Sequence, residues 1–201
     1  MNNTIYYWGI PDISISFCEK KYVESFWIAE YNNTFSAGAY ILLGILFLFT
    51  KIQHVGYSMI VLGGSTAIMH ATLRYYGQWL DECSMLIISY SALKLFKQNL
   101  SNKGYLIIIT YYFIIKDYFI LFFLLFSSMQ LYIIYLAYNK HLIYTQKILL
   151  ICYLISFSIG TICWFIDQML CHYIDSIPFH ALWHIFSALG MFYGFFSFVI
   201  L

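Results

Sequence analysis

Runs of apolar residues, separated by short polar or glycine-containing stretches, follow one another from about residue 34 to the end of the chain. A helix needs about 20 predominantly apolar residues to cross the ~30 Å hydrocarbon core of a bilayer. The pattern predicts seven spanning helices, at about residues 34–50, 55–73, 80–97, 103–116, 117–138, 147–166 and 179–201. We therefore expect an all-α membrane protein: a seven-transmembrane helical bundle forming a single domain over residues 1–201, with a short structured N-terminal segment over residues 1–33.

The composition agrees with a membrane protein and excludes other classes. Of the 201 residues, 62% are hydrophobic and 9% are charged, whereas soluble domains carry about 25% charged residues. The net charge is +1 and no block of like charges occurs, which indicates that nucleic acid is not a partner. The partners that the composition predicts are membrane lipids.

The charged residues between the predicted spans indicate an orientation. Lys and Arg accumulate on the cytosolic side of membrane proteins. With seven spans, one side of the membrane receives Lys51, Lys94, Lys97, Lys103, Lys140 and Lys147. The other side receives Lys20, Lys21, Arg74 and Lys116, together with all nine acidic residues. This bias predicts a cytosolic C-terminus and an N-terminal segment in a lumen or outside the cell.

Ionisable residues at the lumenal ends of three spans are the strongest functional signal. Such residues cost about 2.5–3.5 kcal/mol in mid-membrane, so they usually mark a site. His70 ends the second span, Asp81 and Glu82 begin the third, and His180 and His184 begin the seventh. In an up-and-down bundle these ends meet at one depth. His180 and His184 are also one helical turn apart, so their imidazoles share a face.

The residue types point to zinc chemistry. Three imidazoles with one open position are typical of catalytic zinc sites. Asp81 is the predicted general base, which accepts the proton of the attacking water. Thr66 lies one turn before His70, and its hydroxyl is the predicted donor to a developing oxyanion. Ser65 points about 100° away and is the weaker candidate.

Structural explanations remain open for each of these residues. A histidine at a helix end is also explained by a hydrogen bond to a carbonyl group, and the HxxxH pair lacks the glutamate of the HExxH motif. Thr66 could bond to its own helix, and Glu82 could face the lumen. The other histidines, His54, His141 and His172, have no partner at helical spacing and are predicted to be solvated loop residues.

Two of the five cysteines lie in polar segments on the non-cytosolic side. These are Cys18 and Cys171, and an oxidising compartment there permits a disulfide. Spacing alone leaves the pairing of cysteines open.

Four segments together resemble a known family. The segments WIAEYNNTFS (27–36), STAIMHATLRYYGQWLDECSM (65–85), CWFIDQ (163–168) and FHALWHI (179–185) resemble, in order and spacing, the alkaline ceramidases. The resemblance covers essentially the whole chain. It implies zinc-dependent hydrolysis of the N-acyl amide of ceramide to a sphingoid base and a fatty acid, within sphingolipid metabolism. It also implies a location in the endoplasmic reticulum or Golgi membrane.

The resemblance assigns roles residue by residue. It makes His70, His180 and His184 the zinc ligands and places Asp81 beside the reacting water. Thr66 stands where the family usually has a serine. The resemblance also implies a disulfide between Cys18 and Cys171.

The chain departs from the family at an N-terminal calcium site. The family holds calcium with two glutamates, an aspartate, an asparagine and a backbone carbonyl. Glu19, Glu30 and the Phe17 carbonyl match that set, but Ser16 replaces the aspartate and Lys21 replaces the asparagine. Calcium needs several oxygen ligands, so this site is degraded. We expect the Lys21 ammonium to bridge Glu19 and Glu30 instead.

Two alternatives to a ceramidase follow from the same pattern. One is a seven-helix receptor of the adiponectin-receptor type with a hydrolase-like zinc site. The segments FCEKKY (17–22) and IAEYNNTFS (28–36) favour the ceramidase. The other alternative is a proton-relay transporter, which typically has polar groups throughout the bilayer depth, whereas here they cluster at one end.

Overall fold

The structure, a computed structural model, describes residues 6–140, 142–173 and 177–200. Within these ranges all regular structure is helical: eight α-helices and one short 3₁₀-helix at Cys171–Tyr173. The α-helices are α1 (Tyr31–Ser36), α2 (Gly38–Leu48), α3 (Gln53–Thr72), α4 (Tyr75–Phe96), α5 (Lys103–Ile115), α6 (Phe119–Tyr138), α7 (Tyr144–Leu170) and α8 (Phe179–Val199).

Helices α2 to α8 lie where the seven spans were predicted. Three of them, α6, α7 and α8, are long and apolar enough to cross a membrane by themselves, and α5 is a shorter apolar helix. Helix α2 has 11 residues, and α3 and α4 carry many buried polar side chains. The all-helical membrane class is therefore confirmed, while the count of seven spans stays a prediction.

The boundaries differ from the predicted ones at two places that matter for the site. Helix α4 begins at Tyr75 rather than near residue 80, which puts Asp81 in its second turn. The extra turn forms because Gly77 and Gln78 donate their N–H groups to the Arg74 carbonyl, at 2.8 and 3.2 Å. The short helix α1 was not predicted, since its sequence is polar.

The helices pack in a consistent order. Helix α3 lies between α2 and α4, α8 packs against α2 and along α7, and α6 and α5 pack against α4. Helices in lipid associate through close packing of small residues and hydrogen bonds between helices. Both kinds of contact occur in this bundle. Tyr40 Oη of α2 lies 2.6 Å from Ser187 Oγ of α8, and Ser58 Oγ of α3 lies 2.8 Å from Ser91 Oγ of α4.

The N-terminal segment lies over the end of the bundle where α3 ends and α4 and α8 begin. Its backbone is bonded to the α3 C-terminus: Ala29 N donates to Ala71 O at 2.9 Å and Glu30 N to His70 O at 3.1 Å. Further along, Arg74 pairs with Asp12 at 2.8 Å. These contacts place the segment directly above the ends of the helices that carry the candidate site residues.

Close contact between α2 and α3 gives a test of the packing. A Cβ added at Gly56 would lie 2.7 Å from the Gly44 carbonyl oxygen, whereas one added at Gly64 of the same helix meets nothing within 4 Å. We expect Gly56→Ala to destabilise the fold by about 1–3 kcal/mol because of overpacking. Gly64→Ala is the matched control and should be neutral or stabilising, because alanine favours helix. Thermal unfolding in detergent measures both, and equal midpoints would contradict this packing.

Candidate metal centre and adjoining cavity

Three histidines meet at the end of the bundle that the N-terminal segment covers. His70 lies in the last turn of α3, and His180 and His184 lie in the first two turns of α8. Each has one ring nitrogen within 4.8 Å of a ring nitrogen of the other two. The predicted convergence of these three residues at one depth is confirmed by this geometry.

Local sequence fixes where these histidines stand. Helix α3 ends just after His70 because Leu73 adopts a left-handed conformation (φ 51°), with its N–H donating to the Met69 carbonyl at 2.7 Å. Helix α8 starts just before His180, where Pro178 occupies the N-cap position and its carbonyl accepts a hydrogen bond from Leu182 N at 3.1 Å. The two helix ends are thereby brought to the same level.

The histidine nitrogens fit a metal ion. His70 Nδ1 donates to Glu30 Oε2 at 2.6 Å, and His184 Nδ1 lies 2.8 Å from Ser36 Oγ. Such partners orient metal-binding imidazoles. His70 Nε2 and His180 Nδ1 are buried and have no hydrogen-bond partner within the part of the chain that the structure describes. A buried nitrogen without a partner is costly, and a bound cation would give both atoms a partner. The cluster therefore has the ligand atoms of a three-histidine cation site.

An aromatic ring covers the cluster. The Phe17 ring centroid lies 4.7 Å from that of His70 and 4.1 Å from that of His180. Phe17 belongs to the N-terminal segment and is itself buried. The segment therefore shields the imidazoles from solvent on the side facing away from the bundle.

Asp81 and Thr66 form a pair beside the histidines. The Thr66 hydroxyl donates to the Asp81 carboxylate and also lies 2.8 Å from the Leu62 carbonyl of its own helix. Both side chains are buried. Ser65, in contrast, bonds only to the Val61 carbonyl among the described residues, at 2.8 Å. The prediction that Thr66 rather than Ser65 faces the site agrees with this arrangement.

An alternative left open for one residue is ruled out, and an expectation about another residue is wrong. Glu82 does not face the lumen: it is 3% exposed and accepts hydrogen bonds from Gln78 Nε2 at 2.6 Å and Tyr112 Oη at 2.9 Å. His54 is not a loop residue but lies half-buried in the first turn of α3. His141 and the side chain of His172 lie outside the described residues.

A lysine occupies the centre of the segment where the resemblance predicts a degraded calcium site. Lys21 Nζ lies 2.7 Å from Glu30 Oε1 and donates to the backbone carbonyls of Phe17 at 2.5 Å and Glu19 at 2.8 Å. Burial raises the pKa of Glu30, but the His70 hydrogen bond and the Lys21 charge outweigh it and hold the pKa below its ordinary value. Glu30 thus links Lys21 to the histidine cluster.

The predicted bridge differs in one contact. The Glu19 carboxylate does not reach Lys21. It accepts from the backbone N–H groups of Asn32 at 2.6 Å and Asn33 at 2.8 Å. A carboxylate is stabilised by the free N–H groups at a helix start, so Glu19 fixes the first turn of α1. Ser16 is exposed, and its carbonyl accepts from Gln168 Nε2 at 3.3 Å.

The structure joins the N-terminal segment to the end of α7 through cysteine. Cys18 and Cys171 form a disulfide with their Cα atoms 5.2 Å apart. Nearby, Cys18 N donates to the buried Asp167 Oδ2 at 3.5 Å. The remaining cysteines, Cys83, Cys152 and Cys163, are free.

A cavity of about 340 Å³ extends from the histidines into the bundle. Its polar end is formed by Thr66, Gln78, Asp81, Glu82, His180 and His184. Its walls are aromatic, with Phe119, Phe122, Phe123 and Phe126 on α6 facing Phe157 and Trp164 on α7. Phe123 and Trp164 stack across this space with ring centroids 5.9 Å apart. The lining is therefore mostly apolar, with the carboxyl and imidazole groups at one end.

The fold and site define an all-helical membrane protein with a buried histidine cluster at the polar end of an apolar cavity. A family model described as Ceramidase matches residues 9–201, and the chain belongs to this family. Among similar proteins, a putative alkaline ceramidase of Dictyostelium discoideum is 26% identical, with 96% of this chain and 88% of the relative covered. An alkaline ceramidase of Arabidopsis thaliana is 27% identical, with 90% and 81% covered.

A mammalian relative agrees with these two. Alkaline ceramidase 3 of Mus musculus is 26% identical, with 92% of this chain and 82% of the relative covered. The family and the names of these relatives make the chain a hydrolase of the ceramidase type. The resemblance predicted from the four sequence segments is therefore confirmed.

The geometry predicts a metal content that depends on the cluster. We expect the purified wild-type protein to hold roughly one divalent ion per chain, and His180→Ala or His184→Ala to lose most of it, because a three-histidine site loses a ligand. His54→Ala removes a partly buried histidine away from the cluster and should keep the metal. Metal analysis by mass spectrometry measures all four proteins. Full occupancy in either cluster variant would contradict the site.

Proposed function

We propose that the protein is a zinc-dependent ceramidase, which hydrolyses the N-acyl amide of ceramide to a sphingoid base and a free fatty acid. One observation carries the proposal: three histidines and Asp81 stand at the polar end of a cavity whose walls are apolar. The names of the relatives supply the substrate class. Ceramide has an amide group between two long apolar chains, and it matches a cavity with one polar end.

His70, His180 and His184 would hold the zinc ion. Histidine nitrogens are ordinary zinc ligands, and a three-histidine set leaves one position open. When bound, zinc supplies Lewis acidity, which polarises a carbonyl group and makes nearby water more acidic. Glu30 and Ser36 keep His70 and His184 oriented toward the shared point through their Nδ1 atoms.

Asp81 moves the proton in this mechanism. As the water oxygen attacks the amide carbonyl carbon, the Asp81 carboxylate accepts a water proton. It then gives that proton to the leaving nitrogen when the C–N bond breaks, so the products are the free acid and the free amine. The buried position of Asp81, beside Thr66 of α3, keeps bulk water from competing for the proton.

Thr66 has a single hydroxyl proton and therefore one donor role at a time. In the structure it donates to Asp81, which orients the carboxylate before reaction. Once Asp81 is protonated it no longer needs that hydrogen bond, and the Thr66 hydroxyl can turn toward the developing oxyanion. The role predicted from the sequence thus becomes two successive roles.

The topology belongs to the same proposal. All of α2 to α8 cross the membrane in the alternating order that the charge pattern predicts, in the endoplasmic reticulum or Golgi. The N-terminal segment and the metal centre then lie on the lumenal side, and the C-terminus is cytosolic. The disulfide between Cys18 and Cys171 supports a lumenal position for the N-terminal segment, because disulfides persist in oxidising compartments.

The two alternative functions have less support. The ceramidase family match favours a hydrolase over a receptor of the adiponectin-receptor type. A proton-relay transporter needs ionisable groups along the bilayer depth. Below the polar end, the cavity is lined mainly by aromatic and aliphatic residues of α6, α7 and α8.

Calcium does not fit the N-terminal segment of this chain. The point between the Phe17 carbonyl, the Glu19 carbonyl and the Glu30 carboxylate is occupied by the Lys21 ammonium. A divalent cation at that point would meet a like charge a few ångströms away. Lys21 instead acts as a built-in cation that ties the segment to Glu30.

The proposed reaction is tested by comparing wild-type protein with Asp81→Asn. We expect wild type to release fatty acid from ceramide. Asp81→Asn should keep its zinc and lose about 10²- to 10⁴-fold in kcat, because an amide cannot accept the water proton. Fatty acid release and metal content are measured on the same samples. Loss of zinc in the variant would mean that Asp81 maintains the site rather than acting as a base.

A second prediction concerns calcium. We expect calcium or a chelator to leave the wild-type melting temperature and ceramide hydrolysis unchanged, since Lys21 fills the site. A Ser16→Asp, Lys21→Asn double variant should gain stabilisation by calcium, about 2.7 kcal/mol at a concentration 100 times the dissociation constant.

The control for this experiment is Lys20→Asn, which makes the same type of change at the neighbouring position. It should remain insensitive to calcium. Strong activation or stabilisation of the wild-type protein by calcium would show that Lys21 does not take the place of the ion.

A further inference from the structure

Glu82 is a buried carboxyl group that the proposed reaction does not use. It is 3% exposed and lines the cavity next to Asp81. Among the described residues no lysine or arginine forms an ion pair with it; its partners are the Gln78 amide and the Tyr112 hydroxyl. Burying a carboxyl group in this way costs free energy, so its presence beside the reacting groups calls for a role.

The neighbouring side chains hold Glu82 in one position. Gln78 lies one helical turn before it, and its side chain is fixed in turn by Ser14: Ser14 N donates to Gln78 Oε1 at 2.7 Å, and Gln78 Nε2 donates to Ser14 Oγ at 2.6 Å. Tyr112 is fully buried in α5. The carboxyl group is therefore preorganised by contacts from the N-terminal segment, α4 and α5.

Glu82 retains capacity for a further hydrogen bond. A carboxylate offers about four acceptor positions, and the described contacts use two of them, one on each oxygen. A ligand at the polar end of the cavity can therefore donate to it. Hydroxyl groups form short, strong hydrogen bonds to carboxylates.

The position of Glu82 selects which part of the ligand it meets. Asp81 and Glu82 are consecutive residues, about 100° apart on α4, and both line the same cavity. A substrate whose amide reaches Asp81 and the histidines brings its nearest substituents to Glu82. Acyl chains are apolar and belong between α6 and α7, so the polar substituents are those of the amine half.

We propose that Glu82 binds a hydroxyl group on the amine half of the substrate, next to the amide nitrogen, and that it thereby selects amides of hydroxylated long-chain amines. The proposal rests on the proposed function, because it concerns the same cavity. Glu82 is a specificity-determining residue in this view, and Gln78 and Tyr112 position it. Tyr112 has no contact with substrate in this role.

Two amides with the same acyl chain test it: one of a long-chain 2-amino-1,3-diol and one of the corresponding alkylamine without hydroxyls. We expect wild type to favour the hydroxylated amide in kcat/KM. Glu82→Gln should lower kcat/KM for that amide at least about 10-fold more than for the plain amide, as a charge-assisted hydrogen bond is weakened. Glu24→Gln, a matched change at an exposed glutamate, should keep the wild-type ratio.

Tyr112→Phe separates substrate recognition from a structural role. It removes the tyrosine hydroxyl that bonds to Glu82 but leaves the carboxyl group. We expect it to keep part of the preference for the hydroxylated amide, because the carboxyl group remains but loses one of its two positioning contacts. If Glu82→Gln lowers kcat/KM for both amides by the same factor, so that their ratio is unchanged, then Glu82 only supports the fold and the proposal is wrong.

A binding measurement makes the result independent of turnover. The free 2-amino-1,3-diol and the free alkylamine carry the same charge and differ in their hydroxyl groups. We expect the diol to raise the melting temperature of wild type more than the alkylamine does, and Glu82→Gln to abolish that difference. Wild type that binds the diol selectively but hydrolyses neither amide would refute the proposed function and support Glu82. Hydrolysis of both amides by wild type, with no preference for the hydroxylated compounds, would support the proposed function and refute the role of Glu82.

Discussion

The fully buried carboxylate of Glu30 is the contact on which the arrangement of this site depends. One of its oxygens lies 2.7 Å from Lys21 Nζ and the other lies 2.6 Å from His70 Nδ1. A buried charge is tolerated only when it is paired and hydrogen-bonded. Glu30 therefore requires both partners at once, and this requirement fixes the N-terminal segment against the last turn of α3. The orientation of the His70 ring follows from the same bond.

The other contacts of the segment reinforce this placement. The disulfide at Cys18 joins it to the end of α7, the hydrogen bonds of Ser14 join it to α4, and the Phe17 ring covers the imidazoles. Three helices, α3, α4 and α7, thus meet one stretch of chain. In a lipid environment, where apolar contacts between helices supply little driving force, such polar connections determine which helix ends remain together.

The order in which the helices pack determines where they approach closely and where the cavity lies. Helices α2, α3 and α4 approach closely through small residues and a serine pair. Helix α6 packs against α4 and α5, and α7 packs against α8. Aromatic side chains of α6 and α7 form much of the cavity wall, together with residues of α2, α3, α4 and α8. Among the described residues that line the cavity, the carboxyl and imidazole groups are those of Asp81, Glu82, His180 and His184 near the histidine cluster, so the cavity has one reactive end.

The sequence by itself determined the helical class, the positions of α2 to α8 and the three histidines, because apolar runs and rare ionisable residues are visible without any contacts. It did not reveal α1, the buried state of Glu82 or the position of His54, since burial of polar residues depends on partners such as Tyr112, 30 positions away. Only the tertiary structure decided that Lys21 contacts Glu30 and two carbonyl groups while Glu19 turns to α1. Glu19 and Glu30 are both carboxylates that can pair with the Lys21 ammonium or with the free N–H groups at the start of α1. Their positions in the folded chain decide which carboxylate contacts which group.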